Sequence, residues 1–456
     1  MADCAPSAAP LVEPQPQRCG RRGAVAAIMG LILIVGVVVA VILVASNNGG
    51  STPGPSPSPP PLLTGPLRGV AYAALPCSAD APCKEKLPGE DMMQLGYKVQ
   101  WSETGRNDLG VIKKLGANAV RLYHSLGFGP ATDHGSFLDE AHKQGLNVLP
   151  GIDSDLGLHN CTNFDCYETV KTVVKRGFSL GFAKGKDWHP AIHTVIIMNE
   201  PDFFVNDPHC PGKAAWCRVK AVLSGLDGLL AAEREVGVKP GRVNLTTTWS
   251  FAEADSIDGK CKKCPGYFGF QDMIAAIHDP SIAKYKPRTS AKELGEAFDK
   301  RWVNGLNVQA PWSFVHDTIS KHYAPFNNRP WFIGEFGALN QPHEAIQADV
   351  KAMLSLANSS DPFLGATVFQ FQTAYWKGGS EKAFGLFGLG KEKIGQTGDV
   401  CKENGECGQW PVYCLSTNLS WLPPSQAQRA AAVAAAWGGE VSGTCRNTTS
   451  SSEIVV

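Results

Sequence analysis

Two glutamates in matching surroundings are the residues of this sequence best equipped for chemistry. The first closes the run Ile192-His193-Thr194-Val195-Ile196-Ile197-Met198-Asn199-Glu200-Pro201. The second sits in Trp331-Phe332-Ile333-Gly334-Glu335-Phe336-Gly337. Each follows a short apolar stretch of the kind that forms a buried strand. Pro201 cannot continue a central ladder, so the first strand stops at the Asn199-Glu200 pair. The C-terminal ends of such strands are where a (β/α)8 barrel places its catalytic groups. Two carboxyls about 5–5.5 Å apart can cleave a glycosidic bond by double displacement, one attacking the anomeric carbon and the other protonating the leaving oxygen. Glu200 and Glu335 are the expected pair.

A site of this kind needs a frame that makes positions 200 and 335 neighbours. From Leu67 onward short apolar runs alternate with helical stretches, the pattern of βα units. Strands are expected at 68–72, 117–123, 147–153, 192–198 and 243–249, a sixth within 314–323, a seventh carrying Glu335, and an eighth at 366–371. Helices are expected at 108–114, capped by Asn107 or Asp108, at 134–143, closed by Gly145, and at 164–183. Eight strands with helices between them predict a closed (β/α)8 TIM barrel over residues 67–390. In such a barrel the ends of strands four and seven face each other. No G-x-G-x-x-G follows the first strand, which argues against a dinucleotide-binding open sheet.

The chain outside the barrel has its own signals. Arg18, Arg21 and Arg22 precede an uninterrupted apolar segment at 24–45. As a helix it would span about 33 Å, enough for a bilayer core of about 30 Å. It is too long for the apolar region of a cleaved signal peptide, so residues 24–45 are expected to be a transmembrane signal anchor. The basic flank makes residues 1–23 a cytoplasmic tail, giving a single-pass type II protein with its main domain lumenal or extracellular. Residues 46–66 are a Pro/Gly/Ser linker. Twelve of the fourteen cysteines follow the apolar segment, grouped as Cys77/Cys83, Cys161/Cys166, Cys210/Cys217 and Cys261/Cys264, then Cys401, Cys407, Cys414 and Cys445. That usage suggests disulfides in an oxidising compartment. Sequons at Asn160, Asn244, Asn358, Asn418 and Asn447 agree with that location. Residues 391–446 read as a Cys-rich extension packed on the barrel and ending in an Ala-rich helix at 426–437; residues 447–456 read as a disordered tail. A formal net charge of +0 gives no reason to expect a nucleic-acid partner.

The motifs also resemble a known clan. Met198-Asn199-Glu200-Pro201 with Gly334-Glu335-Phe336-Gly337 is similar to the (β/α)8 retaining glycoside hydrolases, and the resemblance extends over residues 67–390. It implies that Glu200 is the acid/base and Glu335 the nucleophile. Val120-Arg121-Leu122-Tyr123 at strand two and His322-Tyr323 at strand six match as well. The resemblance implies that Arg121 and Tyr323 support Glu335, and that Asn199 holds the sugar 2-OH. Arg68-Gly69-Val70-Ala71-Tyr72, Arg121-Leu122-Tyr123 and Asp133-His134 most resemble the β-1,3-glucanases and β-1,3-glucanosyltransferases of families 17 and 72.

Further candidates end the other strands. Trp376, beyond strand eight, stacks a sugar ring or packs in the core; His322 joins the site or is satisfied in the core. Asp153 binds substrate hydroxyls or caps a helix. Tyr72 and Trp249 end strands one and five. The expectation is a membrane-anchored retaining hydrolase of β-glucan needing no cofactor or metal. Transglycosylation on the same site, a β-1,4-glucanase or mannanase, and a barrel that only binds carbohydrate stay open. A metal-dependent hydrolase would need His/Asp clusters at strand ends, and the sequence offers none with ligand spacing.

Overall fold

A computed structural model describes residues 65–445 except 82, 84–85, 128–131, 153–160, 205–214, 251–266, 324–328, 338 and 360–361. The anchor at 24–45, nearly all of the linker, the tail, Asp153, Asn160, Cys210, Cys261, Cys264 and Asn447 lie outside the described residues. Among the described residues no helix is long and apolar enough to cross a membrane.

Eight parallel strands form the centre. They are β1 Leu67–Ala71, β2 Ala119–Arg121, β3 Asn147–Leu149, β4 Thr194–Asn199, β5 Asn244–Ser250, β6 Asn304–Val308, β7 Trp331–Phe336 and β8 Phe363–Val368. The hydrogen-bonded order is β3-β2-β1-β8-β7-β6-β5-β4. Bridges Val148 to Ile192 and Gly151 to Ile196 join β3 to β4 and close the ring. The fold is a (β/α)8 TIM barrel. Its floor is an apolar layer of Leu67, Ala119, Leu149, Ile196, Val303 and Phe332, contributed by different strands and packed as one cluster.

The sixth strand lies earlier than expected. Residues within 314–323 form a helix, Trp312–Thr318, and a wide turn, Ile319–Tyr323. Trp312, Val315, Thr318 and Ile319 are buried there, which is helical and not strand spacing. The strand is Asn304–Val308, buried throughout, and its polar Asn304 is satisfied by the Trp302 indole N–H at 3.1 Å. The eighth strand also begins earlier, at Phe363, so Phe369 and Gln370 fall beyond its top end.

The outer ring includes α1 Asp108–Lys114, α2 Gly135–Lys143, α3 Tyr167–Gly177, α4 Ala215–Val236, α5 Ala291–Arg301, α6 Trp312–Thr318 and α7 His343–Ala357. Asn107 caps α1 by accepting from the Gly110 N–H. The last helix, α8 Arg429–Trp437, packs on α7, and the residues after it reach the α1–β2 turn, where the Glu440 N–H donates to the Lys114 carbonyl at 2.7 Å. It stands in the place of the eighth barrel helix. Between β8 and α8 lies an antiparallel hairpin, β9 Gly388–Gln396 with β10 Pro411–Ser416, which begins before residue 391. Disulfides Cys77–Cys83, Cys161–Cys166 and Cys401–Cys407 close short loops, and Cys414–Cys445 ties β10 to the chain end.

A fully buried polar cluster joins the hairpin to the barrel. Arg106 grips Asp108 with Nε to Oδ1 and Nη2 to Oδ2, both at 2.7 Å, and Nη1 donates to the Tyr413 carbonyl at 3.1 Å. Tyr72 donates to Asp108 at 2.8 Å, and Gln372 accepts from Arg106 at 3.0 Å. Removing one charge from a buried pair strands the other. Asp108→Asn is therefore expected to lower the unfolding free energy by about 3–5 kcal/mol in urea titrations followed by tryptophan fluorescence.

Candidate active site

The top of the barrel opens into a cleft of about 720 Å³ whose lining includes Tyr72, Tyr123, Asn199, Glu200, Asn307, Glu335 and Trp376. Two local irregularities aim its polar groups. In β4 the pairing with β5 shifts between Ile196 and Met198, so Ile197 and Met198 both pack in the helix-side core and Asn199 turns into the barrel. In β7 the pairing with β6 shifts between Leu306 and Asn307, which face Ile333 and Glu335 and leave Gly334 as the extra residue. A one-residue bulge reverses the alternation of strand faces and re-aims the residues beyond it. Glu200 then adopts φ +47, with its N–H donating to the Thr248 carbonyl at 2.7 Å.

Arg121, at the end of β2, lies buried below these groups and reaches most of them. Its Nη1 donates to Asn307 Oδ1 at 2.9 Å, and Nη2 donates to Asn199 Oδ1 at 2.5 Å and pairs with Glu335 Oε1 at 3.1 Å. Gly334 makes room for it: a Cβ there would lie 2.8 Å from Arg121 Nη1 and 2.7 Å from Thr248 Cγ2. Asn307 donates to Glu335 Oε1 and to Asn199 Oδ1, both at 2.9 Å. Thr248 Oγ1 adds a third donor to Asn199 Oδ1 at 2.8 Å. With three donors on its oxygen, Asn199 has one amide orientation, and its N–H groups face the other way.

The two carboxyls sit in unlike surroundings. Glu335 has the guanidinium and the Asn307 amide. Burial, and then the charge of Glu335, raise the Glu200 carboxyl to about 8, against a smaller opposing effect of the Asn307 amide. Tyr123 stands at the same place: its hydroxyl is buried, and burial and then the nearby Glu335 charge push it well above the usual phenol range. The Arg121 guanidinium lies 4.8 Å from its ring centre.

Asn199, Glu200, Glu335 and Arg121 are thus brought together, and Tyr72 and Trp376 line the same cleft. The Tyr72 hydroxyl is turned away to Asp108, so its ring forms wall. Tyr323 and Trp249 do not line the cleft. Both pack against Phe270 in the core, with ring centres 6.0 and 6.2 Å from its own. The support expected of Tyr323 comes instead from Asn307 on the true sixth strand, with the Tyr123 hydroxyl, just beyond β2, buried nearby. The backbone of His322 lies in the turn Ile319–Tyr323; its side chain, like the whole of Asp153, is outside the described part of the chain. Tyr123 was legible as the last residue of Arg121-Leu122-Tyr123. Asn307 was hidden because Asn304-Gly305-Leu306-Asn307-Val308 lacks the apolar run that marks a buried strand. Among the described residues no cluster of three or more His, Cys, Asp or Glu side chains is placed to hold a metal ion.

No family model matches the chain, and no curated protein does. Solved structures that it resembles include a β-glucosidase from Thermotoga maritima in complex with deoxynojirimycin, at 13% identity and TM-score 0.46, covering 72% of this chain and 94% of that one. Another is Bacteroides uniformis β-glucuronidase 2, at 14% identity and TM-score 0.40, covering 70% of this chain and 33% of that one. Scores at this level add nothing to the barrel topology already described.

The raised Glu200 carboxyl has a consequence for stability. Unfolded, a glutamate titrates near 4.3. Between about pH 5 and 8 the folded protein keeps a proton that the unfolded chain has lost, so stability present at low pH declines as pH rises through about 8. Glu200→Gln should flatten that decline, which urea midpoints measured across pH 5–8 for both proteins will show.

Proposed function

We propose that this protein is a retaining β-glycoside hydrolase in which Glu335 is the nucleophile and Glu200 the acid/base. One observation carries the reading: two carboxyls share a cleft, one ion-paired with Arg121 and the other raised to about 8. Pairs of carboxyls pushed apart in this way divide into acid and nucleophile. In the first step Glu200 gives its proton to the glycosidic oxygen while Glu335 attacks the anomeric carbon, releasing the leaving sugar and forming an ester. In the second, ionised Glu200 takes a proton from water, whose oxygen displaces Glu335. The Asn199 amide N–H groups, fixed by the three donors on its oxygen, are available to a sugar hydroxyl. Asn307 holds Glu335 in line, and the buried Tyr123 hydroxyl lies beside it.

The cleft's other charges favour an uncharged substrate. Lys377 pairs with Glu381 at 3.3 Å, so these two side chains balance one another, and Glu90 holds His124 at 3.1 Å. We take the substrate to be β-glucan, with a β-1,3 linkage on the strength of the strand-one and strand-two motifs. Attachment to a membrane through residues 24–45 is part of the proposal.

Glu335→Gln should reduce release of sugar from β-1,3-glucan by about 10³-fold or more, and Glu200→Gln by about 10²–10⁴-fold. Proton NMR of the first product should show the β-anomer. Release of the α-anomer, or undiminished rates in Glu335→Gln on β-1,3-, β-1,4- and mixed-linkage glucans, would overturn the assignment. Long-oligosaccharide products in the same assay would indicate a sugar acceptor in place of water.

A further inference from the structure

Of the eleven tryptophans only Trp421 is exposed, at 40% of its surface. It belongs to the segment between β10 and α8, and it stands in a stiff turn. Leu422 N–H donates to the Leu419 carbonyl at 2.9 Å, Pro423 and Pro424 come next, and Leu419 N–H donates to the Ala427 carbonyl at 3.1 Å. Beside it is the ridge formed by residues 376–384. The inner side of that ridge presents Trp376, Lys377 and Glu381 to the cleft. Its next residue, Lys382, is exposed and holds its ammonium 5.4 Å from the Trp421 ring centre. The ridge is anchored from below. Phe384 packs edge-on against Phe369 at 5.5 Å, and buried Arg429 at the start of α8 donates to the Ala383 carbonyl.

We infer that Trp421 and Lys382 form an outer subsite for a neutral glycan chain that continues out of the cleft over the ridge. This rests on the proposed function for the identity of the chain in the cleft. A rigid, solvent-facing indole offers an apolar face at little conformational cost, and a sugar ring presents C–H groups to such a face. The lysine ammonium, held over the ring, adds hydrogen-bond donors for hydroxyls. The carboxylate of Glu381 and the ammonium of Lys377 are paired with each other on the way, so no net charge lies between the cleft and Lys382. Two aromatics, Trp376 inside and Trp421 outside, then flank one ridge. The occupant is a polymer or long oligosaccharide; a monosaccharide glycoside reaches only the inner part.

Trp421→Ala in otherwise intact protein should raise KM for laminarin about five- to tenfold. It should leave hydrolysis of a short aryl β-glucoside and the melting temperature unchanged. Lys382→Ala should show the same long-chain effect in smaller measure, and it keeps the test alive should Trp421→Ala fold poorly. Affinity electrophoresis through laminarin-containing gels reads the subsite without turnover, using Glu335→Gln protein with and without Trp421→Ala. Equal retardation of the two, no retardation of either, or equal KM changes on long and short substrates would overturn the subsite. If the parent protein cleaves no glycoside yet Trp421→Ala abolishes gel retardation, the catalytic reading fails and the subsite stands.

Discussion

A buried guanidinium organises this molecule's upper half. Taking Arg121 out of water is costly, and only a dense set of acceptors offsets it. Glu335, Asn307 and Asn199, with Thr248 at 3.4 Å, supply that set from four different strands. Each acceptor is in turn fixed by the arginine, so orientation at the cleft floor is a collective property. Asn199 cannot flip without losing three donors, and Glu335 cannot swing away without abandoning a buried positive charge. The same cation pairs with Glu335, while burial first and then the Glu335 charge raise the Glu200 carboxyl, so the two glutamates of one cleft sit in unlike surroundings.

The strand irregularities are tied to this arrangement. Strict alternation would put Met198 inside the barrel and turn Asn199 toward the helices. A bulge in β4 corrects that, and another at Gly334 corrects β7. The second bulge falls on a glycine because the space its side chain would need is already taken by Arg121 and Thr248. The barrel interior thus grades from the apolar layer of Leu67, Ile196 and Phe332 to a hydrogen-bonded polar layer, with packing below and chemistry above.

The C-terminal segment is part of that construction. Its final helix fills the eighth position of the ring, and Arg106 joins its hairpin to the wall residue Tyr72 through Asp108. The Gln94 side chain also bonds both backbone groups of Cys401, beside the Cys401–Cys407 disulfide. Gln94 lies in the same connection as Glu90 and Met92, two cleft residues, so one wall of the cleft leans on the extension.

Sequence alone pointed to the barrel class and singled out Glu200, Glu335, Asn199 and Arg121, which the structure brings together at one cleft. All of these rest on short local signals, a buried strand ending in a polar residue, and such signals survive without neighbours. It also marked Tyr72 and Trp376 as strand-end residues, and the structure places both on the cleft. It placed β6 in a helix, because the real strand is short and polar and owes its burial to contacts the sequence does not show. With that strand misplaced, Asn307 was invisible and Tyr323 stood in for it. Tertiary structure decided which way each strand end points, since a one-residue bulge leaves no mark in composition. It also decided the Glu200 environment, because a pKa depends on burial and on a charge 135 positions away in the chain.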